Sequence, residues 1–159
     1  IGIFEPMLDQ VAAPGDFRLL LEGNGDLEIA EHHTVEECAL ALGQALDKAL
    51  GDRRGIGRYG FVWPMDESLA SVAIDLSGRP AFQFTADFPR DMVGGLSTEM
   101  VSHCFASLSP SLGCALHMDV GGVNTTHMVE GLFKAAGRAL RPALARQGTD
   151  LPSTKGVLA

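Results

Sequence analysis

Twice along this chain a strand-rich stretch runs into a histidine and a glutamate, three residues apart, that open an amphipathic helix: His33-x-x-Glu36 and His127-x-x-Glu130. This repetition constrains the fold most. Neither copy can bury the apolar face of its helix alone, whereas two copies can share one core. In the first copy Val35, Ala39, Leu42, Leu46, Ala49 and Leu50 recur at helical spacing and stop at Gly51, a natural C-terminal cap. Thr34 and Glu37 fit a capping box, which would put the histidine pair just before the first turn. With or without it, His32, His33 and Glu36 fall within about one helical turn.

The segments between follow simple rules. "FRLLLEGNGDLEIA" predicts two strands joined by a turn at Gly23-Asn24-Gly25. Strands are expected around Val72–Leu76 and Phe82–Phe84, separated by the breaker "SGRP". A helix opens near Ser97 on Met100, Val101, Cys104 and Leu108, "CALHMDVGG" reads as a strand, and a last helix runs on Val129, Leu132, Phe133, Ala136 and Leu140 until Pro142 kinks or ends it. The expectation is one α+β domain of two similar halves, about 1–85 and 86–159, with sheets packed on helices.

At 159 residues such a domain buries its own core, so a metal would be present for chemistry rather than for folding. No apolar run approaches the ~20 residues of a membrane helix. A formal charge of -8 argues against a nucleic-acid-binding protein while allowing a local basic pocket for a phosphorylated small molecule. Cys38, Cys104 and Cys114 cannot all pair with one another and none has CxxC spacing, which reads as reduced thiols in a cytoplasmic protein. The start, "IGIFEPMLDQV", has no signal-peptide organisation and enters a domain abruptly, so further sequence upstream is expected.

Of five histidines, His32, His33 and His127 stand beside glutamates at helix openings, and His103 lies on the helix preceding the second copy. Imidazole with carboxylate suits divalent manganese, iron or zinc, and the absence of cysteine from the set leans away from a structural zinc site. The competing reading is a solvated helix face. His117, alternating with apolar neighbours, reads as a core or rim residue.

The segments "HHTVE", "LGQALDKALGDRRGIGRYGF", "PMDESLA", "DLSGRP", "LSTEM", "EGLFKAAGRALR" and "LPSTKGVL" together resemble the imidazoleglycerol-phosphate dehydratase family over essentially the whole chain. The resemblance implies two similar halves of ribosomal S5 domain 2-like fold, assembled into a shell of 24 subunits with sites between subunits. It implies a lyase of histidine biosynthesis that dehydrates imidazole glycerol phosphate to imidazole acetol phosphate with two manganese ions per site. Carried across, the metal ligands are His32, His33, Glu36, His103, His127 and Glu130, with Glu36 and Glu130 moving protons. The phosphate falls to Arg58, Arg79, Lys134, Ser153, Thr154 and Lys155.

The resemblance also marks departures. Where the family has aspartate-histidine-methionine, this chain reads Glu5-Pro6-Met7, and where the second histidine doublet stands it reads Thr126-His127. Pro14, Ala30-Glu31, Ser102 and Gly95 likewise replace family residues, and the family's opening strand, with a further glutamate, is expected to be missing. Weakened metal affinity and low turnover follow. The alternative is an inactive assembly or binding protein that keeps the fold.

Overall fold

In a computed structural model, which describes residues 3–23, 31–62 and 66–158, four helices pack on one face of a four-stranded sheet. Helix α1 (Phe4–Gly15) buries Phe4, Met7, Leu8, Val11 and Ala12, a stripe at helical spacing, and ends where Asp16 turns left-handed. Helix α2 (Glu31–Leu50) is followed by β1 (Tyr59–Val62), β2 (Leu69–Asp75) and β3 (Ala81–Ala86). A two-stranded ribbon, β4 (Met92–Val93) and β5 (Leu96–Ser97), leads into α3 (Glu99–Leu112), then β6 (Ala115–Gly121) and α4 (Thr125–Leu144).

The sheet order is β1-β2-β6-β3, with β3 parallel to β6 through the α3 crossover and the other pairs antiparallel. Register sets the faces: Val72 lies opposite Met118 and Ile74 opposite Leu116, and these side chains are buried beneath the helices. Tyr59, Phe61, Leu69 and His117 stand on the open face, so His117 is exposed at the middle of an interior strand, paired with Ala73 and Gln83, and is neither in the core nor at the rim. Helix α4 covers β1 and β2 and packs on α1, while α3 packs on α2 and β3. Phe105 and Phe133, their rings 4.8 Å apart, join α3 to α4.

Two expectations need revision. The strand predicted from Phe17 does not form: residues 17–23 carry no regular structure, because no described strand lies beside them to complete a ladder. Its turn at Asn24-Gly25 and the second strand lie outside the described residues. Helix α2 is already helical at Glu31, the first described residue of this segment, and does not wait for Thr34, so both histidines lie inside the helix. Residue 85, near which the two halves were expected to divide, lies in β3. The helices pair as α1 with α4 and α2 with α3. Helix α4 runs through Pro142, which removes one i→i−4 hydrogen bond, and ends two residues later.

Candidate functional site

That α2 is already helical at Glu31 decides which side chains meet. His32 and Glu36 are four apart and share one face. That face meets α3, where His103 sits: its ring lies 3.9 Å, centre to centre, from that of His32, and its Nε2 is 3.7 Å from Glu36 Oε2. Ligand atoms of His32, Glu36 and His103 lie within 4.8 Å of one another. His103 Nε2 is buried and has no hydrogen-bond partner, a cost that a buried polar atom normally avoids. His32 and His103 border a cavity of about 340 Å³ with Phe82, Glu99 and Met100. His33, one position round the helix, is exposed and outside the trio. Glu31 is used structurally: its Oε1 accepts from Ser97 N at 3.0 Å, tying α2 to β5.

The second histidine-glutamate pair is arranged differently. Asn124 caps α4, its side chain accepting from Thr126 N and His127 N. His127 Nδ1 lies 2.7 Å from Glu67 Oε1, in the turn before β2. Glu67's own backbone N–H, and after it His127, hold that carboxyl below the usual carboxylate range. Asp66 completes a cluster with Glu67 and His127, a grouping that the sequence reading missed. The only signal for it was the acidic pair inside "PMDESLA", and nothing local links that pair to a residue sixty positions on. Glu130 is held by Lys134, Oε1 to Nζ 2.5 Å, so the expected ligand and the expected phosphate binder engage each other.

Pro6 and Thr126 are both exposed, in the first turns of α1 and α4. These two helices pack together. Both positions where the resemblance expects a histidine that this chain lacks therefore fall on one helix pair, and the α2–α3 pair, which carries Glu31 and Ser102, keeps two imidazoles and a carboxylate, a donor set that fits a divalent transition metal.

The expected phosphate binders divide. Arg58, just before β1, is paired with Asp75 at the end of β2 and donates from Nη1 to Pro152 O at 2.8 Å. The hydrogen bond to Asp75, opposed by burial, raises its pKa further, so it stays charged. The tail after Pro152 folds into a turn in which Lys155 N donates to Ser153 Oγ and Ser153 Oγ donates to Val157 O. Arg79 is exposed in the turn between β2 and β3, near the same end of the sheet.

That end is not the end where His127 lies. Glu67, with His127 on it, precedes Leu69, and Arg58 pairs with Asp75 at the other end of β2, so a seven-residue strand separates them. At about 3.3 Å per residue this is on the order of 20 Å. A larger cavity of about 690 Å³ between α1, residues 19–23 and α2 contains none of the expected site residues, and its carboxylates, Glu5, Asp9, Glu22 and Glu37, would repel a phosphate.

Comparisons with known proteins agree on one family. The sequence profile described as imidazoleglycerol-phosphate dehydratase matches residues 1–140. The chain is 59% identical over 158 residues to the histidine biosynthesis bifunctional protein HisB of Stenotrophomonas maltophilia strain K279a, covering 99% of this chain and 44% of that protein. It is 54% identical to the HisB protein of Legionella pneumophila strain Lens, with 99% and 45% covered. The chain thus spans less than half the length of these curated relatives. Among solved structures it is similar to imidazoleglycerol-phosphate dehydratase from Staphylococcus aureus subsp. aureus N315, with a TM-score of 0.85, 35% identity, and 92% of this chain and 84% of that one covered. It is also similar to IGPD from Pyrococcus furiosus in complex with (S)-C348, with a TM-score of 0.81, 28% identity, and 98% and 86% covered.

Proposed function

The chain belongs to the imidazoleglycerol-phosphate dehydratase family, and from that premise we propose a metal-dependent hydro-lyase that converts imidazole glycerol phosphate to imidazole acetol phosphate in histidine biosynthesis. The observation that carries the reading is the convergence of His32, Glu36 and His103 around a buried, unpartnered imidazole nitrogen. Those three residues would hold a manganese ion, which when bound acts as a Lewis acid toward the substrate's ring. His33, His127 and Glu130 are the remaining candidate ligands.

This chain's residues then have distinct tasks. The hard step is removal of a weakly acidic carbon-bound proton beside the ring, which calls for a positioned carboxylate. Glu36, 3.7 Å from His103 and paired with no lysine or arginine among the described residues, has the better claim to that step, since Glu130 is engaged by Lys134. Ser153, Thr154, Lys155 and Arg79 would bind the phosphate through hydroxyl, ammonium and guanidinium donors. Lys134 would join them on leaving Glu130.

The ~20 Å between the tail end and the His127 end exceeds the length of a three-carbon chain bearing an imidazole and a phosphate, about 10 Å by ordinary bond lengths. A site that uses both ends therefore draws them from different copies of the chain, which supports a homo-oligomer, by family resemblance a 24-subunit shell with sites between subunits. Three free cysteines and a biosynthetic role support a cytoplasmic location.

A second reading is favoured by Pro6 and Thr126, which remove two imidazoles from one helix pair: an assembly that keeps the fold and turns over little substrate. Elemental analysis of the purified protein, with a turnover assay in added manganese, separates the readings. The dehydratase reading expects bound manganese and product formation. Metal-free protein that stays inactive at saturating manganese refutes it. Installing Pro6→His and Thr126→His together is expected to raise both metal content and turnover if the loss is confined to α1 and α4.

A further inference from the structure

Arg58 has an unusual backbone. It lies at φ +70, in the left-handed region where a glycine would sit without strain and a branched-chain or long side chain costs of order 1 kcal/mol. The chain supplies glycines at positions 55 and 57 on the same turn, yet at 58 it keeps an arginine. What the position retains is the guanidinium.

That guanidinium is a tie between distant parts of the chain. Nε donates to Asp75 Oδ1 at 2.6 Å and Nη2 to Asp75 Oδ2 at 3.1 Å, a fork-on-fork pair. Nη1 donates to Pro152 O, 94 positions along the chain. The Tyr59 ring lies under it, 4.7 Å from the guanidinium carbon. The backbone on both sides is pinned as well: Arg58 N donates to Ala143 O, and Arg58 O accepts from Leu76 N. Three of five guanidinium N–H groups are used, and two are left for an anion.

Beyond Pro152 the tail has few other anchors. The described hydrogen bonds of Ser153 and Lys155 stay within residues 151–157, and the ties upstream run through Gly55, whose N donates to Asp150 O and whose O accepts from Gln147 N. From these contacts we propose that Asp75 is a positioning residue: it fixes Arg58 edge-on, and Arg58, through Pro152, fixes the Ser153-Thr154-Lys155 turn as a preformed anion cradle. The inference rests on the proposed phosphate role of that turn and adds the residue that sets it. Asp75 touches no substrate. Without its carboxylate, Arg58 is free to swing, the carbonyl of Pro152 loses its donor, and the cradle must be ordered by the phosphate itself, which lowers affinity.

The test uses the full chain with inorganic phosphate as probe, in wild type, Asp75→Asn, Asp75→Glu and Arg58→Lys. Two quantities are read: phosphate affinity by calorimetry, and hydrogen exchange at residues 153–157. Asp75→Asn is expected to raise exchange across the turn and weaken phosphate about tenfold, Arg58→Lys to do the same, and Asp75→Glu to recover part of the affinity. For turnover, KM for the phosphorylated substrate should rise with kcat within twofold. A role only in stability would lower the melting temperature without the KM shift or the rescue by glutamate, and would overturn the proposal. Unchanged exchange in Asp75→Asn would overturn it too. If wild type fails to protect the turn when phosphate is added, the phosphate reading of the tail fails, independently of whether Asp75 orders it.

Discussion

Removing the Arg53 side chain should loosen this fold more than any other single truncation of a charged group. The guanidinium is buried, 7% exposed, and donates to Leu76 O at 2.8 Å, Gly113 O at 3.0 Å and Leu112 O at 2.7 Å, besides pairing with Asp47. It thereby ties α2 to the end of β2 and satisfies the last carbonyls of α3. Each hydrogen bond to a charged group contributes about 1.5–3 kcal/mol, but the bonds act as a unit and water refills part of the space. Asp47 is half exposed, so its ion pair counts for little. A loss of about 3–5 kcal/mol is expected for Arg53→Ala, the range for breaking a buried charged network. At about 2–4 °C per kcal/mol for a chain of this size, the melting temperature should fall by roughly 10 °C. Scanning calorimetry at fixed protein concentration reads this directly. Two controls sharpen it. Arg53→Lys keeps the charge without the planar fork and should recover less than half the loss. Arg53→Gly relieves the left-handed backbone, φ +59, and should be about 1 kcal/mol less harmful than alanine. An alanine variant within 1 kcal/mol of wild type, or a lysine variant that restores stability fully, would refute the reasoning.

The remaining expectations are simpler. His103→Ala should weaken manganese binding at least about tenfold in a titration followed by the resonance of free Mn²⁺, while His117→Ala on the open sheet face should leave it unchanged. Gly60→Ala would place a methyl 1.8 Å from Ala139 O, so β1 must move off α4 at a cost of about 1–3 kcal/mol in urea unfolding. Burial pushes the thiols of Cys104 and Cys114 up to about 12 from an ordinary 9.0. Because the folded value is the higher one, the stability they contribute is complete below pH 9 and is lost as pH rises toward 12; both thiols should resist a thiol reagent at pH 8 until the chain is unfolded.

Much of the helical half of the fold was legible. Apolar spacing located α2, α3 and α4 to within a few residues, because a helix face is a local consequence of 3.6 residues per turn. The strand at Phe17 was misjudged, since alternation shows which side chains a strand would bury but cannot supply a neighbouring strand to bond it. In the site, His32, Glu36 and His103 were all named from sequence, and the structure brings those three together. His33 was named with them and stays outside, because inside α2 one position turns a side chain about 100° away from the face that meets α3. Glu67 and Asp75 were missed altogether. Each acts on a residue far along the chain, His127 and Arg58, and no spacing rule reaches that far.

By itself, then, the sequence determined the helix faces, the histidine-glutamate pairs that open them, and the family those pairs belong to. Tertiary structure alone decided which faces meet: α1 with α4, where two imidazoles are gone, and α2 with α3, where the donor set survives. The division follows from range. Periodicity and capping are set by neighbours within a few residues, whereas a contact such as Arg58 to Pro152 exists only once the burial of a shared core has brought distant segments together.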